Sequence, residues 1–205
     1  MKEYTVKKVS SPLTLEDERW EKIEYVELSE KWENLFPTDY STKARLAYSD
    51  EGLYLRMETK EWPVVVKISD ENQEVCLDSC MEFFLTPNMT DEIYVNIEAN
   101  AHAVPLCGIG SAREGRKGIR CSSHGVVVKT AIEFKSGWTL FEFIPFDFLR
   151  KYFTSIDKEM RANFYKCGDE SAVEHYTVWN KVETEEPDYH RPEYFGKLLL
   201  SEQTL

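Results

Sequence analysis

The sequence predicts an all-β fold, an antiparallel β-sandwich of immunoglobulin-like or jelly-roll-like architecture with long loops and at most short helices. Three observations carry that prediction. Many short runs alternate apolar and polar residues and are separated by turn signals, the pattern of sandwich strands. Heptads, internal repeats and long helical periodicities are missing. The chain has 205 residues with a hydrophobic fraction of 42%, enough for one full core, so residues 1–205 read as a single domain.

The elements follow in order. Tyr4 and Val6 mark a short β-like piece, followed by a loop and Trp20. EKIEYVEL (21–28) alternates as an early edge strand, and 29–40 reads as an irregular connection. TKARLAYSDEGLYLRMETKE (42–61) is the clearest hairpin, turning at Ser49-Asp50-Glu51-Gly52, where Asp and Gly suit a tight turn. VCLDSCMEFFL (75–85) reads as one strand, with Met81, Phe83 and Leu85 on one face and Cys80, Glu82 and Phe84 on the other. YVNIEAN (94–100) puts Val95, Ile97 and Ala99 inward and Tyr94, Asn96, Glu98 and Asn100 outward. If these two strands are neighbours, Glu82 joins a polar floor. Residues 101–124 read as a long loop or loose hairpin. GVVVKTAIEF and WTLFEFIPF make a second hairpin around Ser136-Gly137, and 145–153 holds one helical turn or a short helix. FGKLLL is a terminal strand. Trp20 and Trp138 are expected in the core.

Formal net charge is −12, which disfavours binding to a phosphate backbone, so no nucleic-acid partner is expected. Without a run of 18 apolar residues, no membrane partner is expected either. The early lysines precede no apolar stretch, and five cysteines at scattered positions suit reduced thiols, so the sequence reads as cytoplasmic.

Metal and catalytic signals are weak. Cys76 and Cys80, four apart on a strand, would lie about 13 Å from one another and could not share an ion. The histidines lack ligand spacing, so no metal ligand is assigned. No cofactor is required. The acidic run SDENQE (69–74) leaves calcium possible, although it has no recognisable ligand pattern. A redox or haem sandwich would have to use Met57, Met81 or His175. Glu82 with Glu98, or with Asp78, could form a carboxylate pair for glycoside hydrolysis. GIGSAREGRKG (108–118) is no dinucleotide fingerprint, though Arg113, Arg116 and Arg120 could meet an anion. Asn88-Met89-Thr90 matches a glycosylation sequon.

The aromatic residues carry the stronger signal. Trp62, Trp179, Tyr189 and Tyr94 fall in or near loops or on the polar strand face, and His190 adjoins Tyr189. The apolar C–H face of a sugar ring stacks on such side chains, while its hydroxyls need amide, carboxylate and guanidinium partners. The expected ligand-binding residues are therefore Trp62, Glu82, Tyr94, Asn96, Glu98, Arg113, Trp179, Tyr189 and His190, with no catalytic residue. An enzyme acting on a sugar through Glu82 and Glu98 is the alternative. An aromatic surface would also serve a scaffold that binds other proteins.

Five segments together resemble the carbohydrate-binding module family 9-like domains. They are ARLAYSDEGLY (44–54); DSCMEFFL (78–85), with one residue more than the family's D-S-x-E-x-F; YVNIEAN; GWTLFEFIPF (137–146); and HRPEYFGKLLL (190–200). The resemblance implies a β-sandwich that binds a carbohydrate without cleaving it, and a secreted protein as the alternative localisation. In the family, a sugar end lies between two tryptophans, with carboxylate, amide and Arg contacts. By position the second stacking residue falls on Tyr189, the acidic contact on Glu82 and the amide contact on Asn96. The first tryptophan falls near Cys76, a departure from the pattern. Trp62 or Trp179 is the candidate substitute.

Overall fold

The computed structural model describes residues 1–32 and 34–205. It contains one curled sheet with 14 strands among the described residues. They are β1 (Glu3–Lys8), β2 (Val26–Glu27), β3 (Glu30–Lys31), β4 (Thr42–Tyr48), β5 (Gly52–Thr59), β6 (Cys80–Thr86), β7 (Tyr94–Asn100), β8 (Pro105–Gly110), β9 (Lys117–Gly118), β10 (Val127–Glu133), β11 (Gly137–Pro145), β12 (Glu159–Cys167), β13 (Tyr176–Val178) and β14 (Gly196–Thr204). The main path runs β10-β11-β5-β4-β1-β14-β12-β6-β7-β8-β9. A single helical turn, α1 (Phe146–Leu149), follows β11.

The sheet is mixed, which corrects the purely antiparallel expectation. β1 lies between β14 and β4 and runs parallel to both. Alternation fixes which residues share a face, but it is the same whichever way a neighbouring strand points. The terminal strand, read correctly as a strand, is thus interior and joins the two halves of the sheet.

Apolar residues of the two halves meet in one core. Leu46, Leu55, Met57 and Leu140 come from β4, β5 and β11; Met81, Phe83, Ile97 and Phe164 come from β6, β7 and β12. Phe83 and Phe164 stack across the β6–β12 pair, with ring centroids 5.0 Å apart. Trp20 and Trp138 are buried as expected.

Three local readings are corrected. Val75–Leu77 forms a 3-10 turn rather than strand, so β6 begins at Cys80. Asp78 leaves the strand to accept hydrogen bonds from the backbone of Lys67 and Ile68. Of 21–28, only Val26–Glu27 pairs as strand, because Glu18–Lys22 forms a 3-10 helix capped by Asp17. Residue 33 of the expected connection lies outside the described residues. The sequon's Asn88 is buried, its Oδ1 accepting from the backbone of Thr90 and Asp91.

The outward face of β6 and β7 is not solvated. Both strands are buried on both faces. A second apolar cluster lies there, built from Phe84, Tyr94, Tyr165, Val178, Val182, Tyr189 and Phe195. The tail folds across this face. Tyr165 Oη donates to the Tyr189 carbonyl at 3.1 Å, and Tyr189 Oη donates to the Lys166 carbonyl at 2.9 Å.

Candidate functional site

Between the tail and the β12–β6–β7–β8 floor lies a cleft of about 520 Å³, a size suited to a small ligand. One rung of the floor reads Tyr165, Glu82, Glu98, Leu106 across the four strands. Glu82 and Glu98 are therefore direct cross-strand neighbours, as the two alternation patterns suggested. The walls come mostly from loops: Phe36 on one side, Asp169 beyond β12, Tyr176 at the start of β13, Glu186, Pro187, Tyr189 and His190 from the tail, and Arg113 and Arg116 at the β8–β9 turn.

Glu82 Oε1 accepts from Cys167 Sγ at 3.0 Å. Glu98 Oε1 accepts from Asn96 Nδ2 at 2.8 Å and lies 3.7 Å from Arg116 Nη1. Burial pushes the Glu98 carboxyl up to about 7, outweighing the guanidinium. Burial, then the charge of Glu98, drives Glu82 higher than the usual carboxylate range. Asp169 is raised by burial as well, and its Oδ1 is buried with no hydrogen-bond partner among the described residues. In all three acids burial outweighs the partners that favour the charged form, and acceptor capacity is left at the cleft. His190 is held neutral, its pKa lowered to about 2 by burial and then by Arg116 and Arg113.

Five of the sequence candidates line this cleft: Glu82, Glu98, Arg113, Tyr189 and His190. Four do not. Trp179 packs in the main core against Phe164, with its ring 2.5 Å from where a Cβ on Gly196 would sit. Trp62 lies elsewhere, edge-on to Phe134. Tyr94 is fully buried behind the cleft, its Oη bonded to His190 Nδ1 at 2.8 Å. Asn96 is also buried; it donates to Glu98 and accepts from Arg116 Nη1 at 2.7 Å, so it positions those two groups. Neither of the proposed tryptophan substitutes reaches the cleft, because one aromatic type serves core and surface equally well.

The sequence missed Phe36, Asp169, Cys167 and Tyr176. Phe36 and Tyr176 pack edge to face with centroids 4.8 Å apart, and both are half-buried. Tyr189 stacks on Tyr165 at 4.2 Å and lies edge-on to Tyr176. Tyr176 belongs to the aromatic-rich tail, which was its only signal. Cys76, where the family tryptophan was expected, does line the cleft. The three arginines face carboxylates: in the β8–β9 turn Arg113 pairs with Asp188 and Arg116 with Glu98, and after β9 Arg120 pairs with Glu71. In the 69–74 loop, Glu71 bonds Ser122 and Asn72 accepts from the backbone of Cys107.

The model of carbohydrate-binding family 9 matches residues 10–200. The chain belongs to carbohydrate-binding family 9. This family 9 domain is similar over 98% of its length, and 99% of the other chain, to a Bacteroides uniformis ATCC 8492 protein for which carbohydrate binding has been proposed, with 28% identity and a TM-score of 0.83. Two structures of a carbohydrate binding module family 9 from Caldicellulosiruptor kristjanssonii share the fold. The one in complex with glucose has 16% identity and a TM-score of 0.69, covering 98% of this chain and 96% of that one. The one in complex with cellotriose has 15% identity and a TM-score of 0.68, covering 97% and 93%. No curated protein matches the family 9 domain.

Proposed function

We propose that the chain binds a saccharide end or short oligosaccharide in this cleft without cleaving it. The observation that carries the reading is a cleft with an aromatic wall facing buried, under-compensated carboxylates, set in a family 9 fold. Tyr176 and Phe36, with the edge of Tyr189, offer the apolar surface for a sugar's C–H face. Glu82, Glu98 and Asp169 accept from hydroxyls, and Arg113 and Arg116 donate at the mouth. The family's paired tryptophans are replaced here by this tyrosine and phenylalanine wall.

Hydrolysis through Glu82 and Glu98 would need carboxyls flanking the scissile bond. These two are side-by-side neighbours on one floor, which supports binding over cleavage.

The test is a thermal-shift screen of mono- and oligosaccharides, headed by glucose and cellotriose, with and without calcium. A ligand that binds only the folded state raises the melting temperature by mass action. The expected result is a sugar-dependent rise that is reduced in Tyr189→Ala and lost in Tyr176→Ala. No rise with any sugar at millimolar concentration would overturn the proposal. A calcium-dependent rise would assign the cation a supporting role.

A further inference from the structure

We propose that Cys80, Glu82 and Cys167 form a zinc site at the base of the cleft, with a fourth coordination position open to it. The β6–β12 register sets Cys80 directly opposite Cys167. Glu82 lies two residues along β6, on the same face. One potential ligand atom from each of the three lies within 4.8 Å of the other two, and all three residues are buried. Cys167 Sγ already donates to Glu82 Oε1 at 3.0 Å.

The donor set selects the ion. Two sulfurs and one carboxylate oxygen suit zinc, whereas calcium and magnesium require oxygen throughout. Zinc bonds of about 2.3 Å to sulfur and about 2.0–2.2 Å to oxygen place tetrahedral ligand atoms roughly 3.5–3.8 Å apart. A contraction on the order of 1 Å from the outer limit observed would close the site, well within side-chain rotamer adjustment. Glu82 and Cys167 line the cleft, which gives an entry path. Three protein ligands with an exchangeable fourth position is the open form of zinc coordination.

Glu98 is the cross-strand neighbour of Glu82, and Asp169 lines the same cleft, so two further carboxyls stand around the position of a bound dication. Spacing alone could not have found the site, because the second sulfur comes from a strand far along the chain rather than from Cys76. The competing fate of the two opposed thiols is a disulfide, but a disulfide gives no role to the carboxylate in the cluster.

The experiment uses the full chain, phosphine-reduced and freed of metal, titrated with cobalt(II) and then zinc(II). One equivalent of cobalt should give thiolate-to-metal charge transfer in the near ultraviolet and the visible bands of a four-coordinate ion. One equivalent of zinc should bleach both. Cys80→Ser and Cys167→Ser should each weaken binding by about 10- to 100-fold or more and diminish the charge transfer, whereas Cys76→Ser and Cys107→Ser should not. Melting temperatures establish that the variants fold, and the unsubstituted spectrum stands without them. Absence of thiolate charge transfer in the reduced chain would overturn the proposal. So would equal loss in Cys76→Ser, or a Cys80–Cys167 disulfide with no metal binding after reduction. None of these readouts depends on whether a sugar binds.

Discussion

Glu61→Gln should be among the most destabilising single substitutions in the chain. Glu61 and Lys166 are both fully buried and form an ion pair at 2.9 Å. Glu61 also accepts from Ser79 Oγ at 2.7 Å and Trp138 Nε1 at 2.8 Å. Lys166 Nζ donates to the Cys167 carbonyl at 2.6 Å and lies 2.7 Å from His175 Nε2. His175 is neutral, its pKa lowered to about 4 by burial and then by Lys166, so it cannot replace the lost anion. Removing one partner of a buried pair costs about 3–5 kcal/mol because the other charge stays buried. Against a total stability of roughly 5–15 kcal/mol, that corresponds to a melting temperature lowered by roughly 6–20 °C for a chain of this size. Urea unfolding with a constant m-value is the assay. The double variant Glu61→Leu with Lys166→Met removes both charges and should lie within about 2 kcal/mol of the parent. A loss below about 1 kcal/mol for Glu61→Gln, or a double variant as unstable as the more damaging single one, would refute the reasoning. Because the Lys166 carbonyl also receives Tyr189 Oη, the single variant should weaken ligand binding in step with stability.

Glu142 is fully buried with neither oxygen hydrogen-bonded among the described residues, and burial raises its carboxyl well above its ordinary value of 4.5. The folded state thus holds a proton that the unfolded chain releases near 4.5, so stability is lost as pH rises from that value. Glu142→Met should flatten this side of the profile and raise stability at neutral pH by about 1–3 kcal/mol, read by denaturant midpoints across pH. Gly137 has φ +128°, and a Cβ there would lie 1.9 Å from the Thr59 carbonyl oxygen; Gly137→Ala should cost more than about 1 kcal/mol by forcing the β5–β11 pair apart. Tyr189→Phe removes the tie to Lys166 but keeps the ring, so it should cost about 1 kcal/mol of stability and leave sugar affinity within severalfold, as calorimetry would show.

Much of the floor was legible in the sequence. The alternation in β6 and β7 separated Met81, Phe83, Val95 and Ile97 from Glu82, Glu98 and Tyr94, and the structure keeps that division. Pairing of the two strands was one possibility the sequence left open; the structure realises it and sets Glu82 beside Glu98. The walls were not legible. Phe36, Asp169 and Tyr176 reach the cleft from loops or a three-residue strand, where no periodicity marks a side chain's direction. The outward face of β7 read as a polar floor, and the tail that covers it went unseen because a strand pattern shows polarity, not what folds over it. Trp179 and Trp62 illustrate the limit of residue type: an indole near a turn fits a core or a platform equally, and Gly196, which admits the Trp179 ring, is far from it in sequence. Strand direction was likewise invisible, which is why the parallel β4–β1–β14 centre was not foreseen.

The most direct measurement is isothermal titration calorimetry of the best sugar from the screen against three proteins: the unsubstituted chain, Tyr176→Ala and Trp62→Ala. Tyr176 lines the cleft and Trp62 does not. Truncating an aromatic contact at a binding site costs more than about 1 kcal/mol. Affinity should therefore fall roughly tenfold or more in Tyr176→Ala and stay unchanged in Trp62→Ala. Loss in Trp62→Ala with retention in Tyr176→Ala would move the carbohydrate site out of the cleft and contradict the assignment.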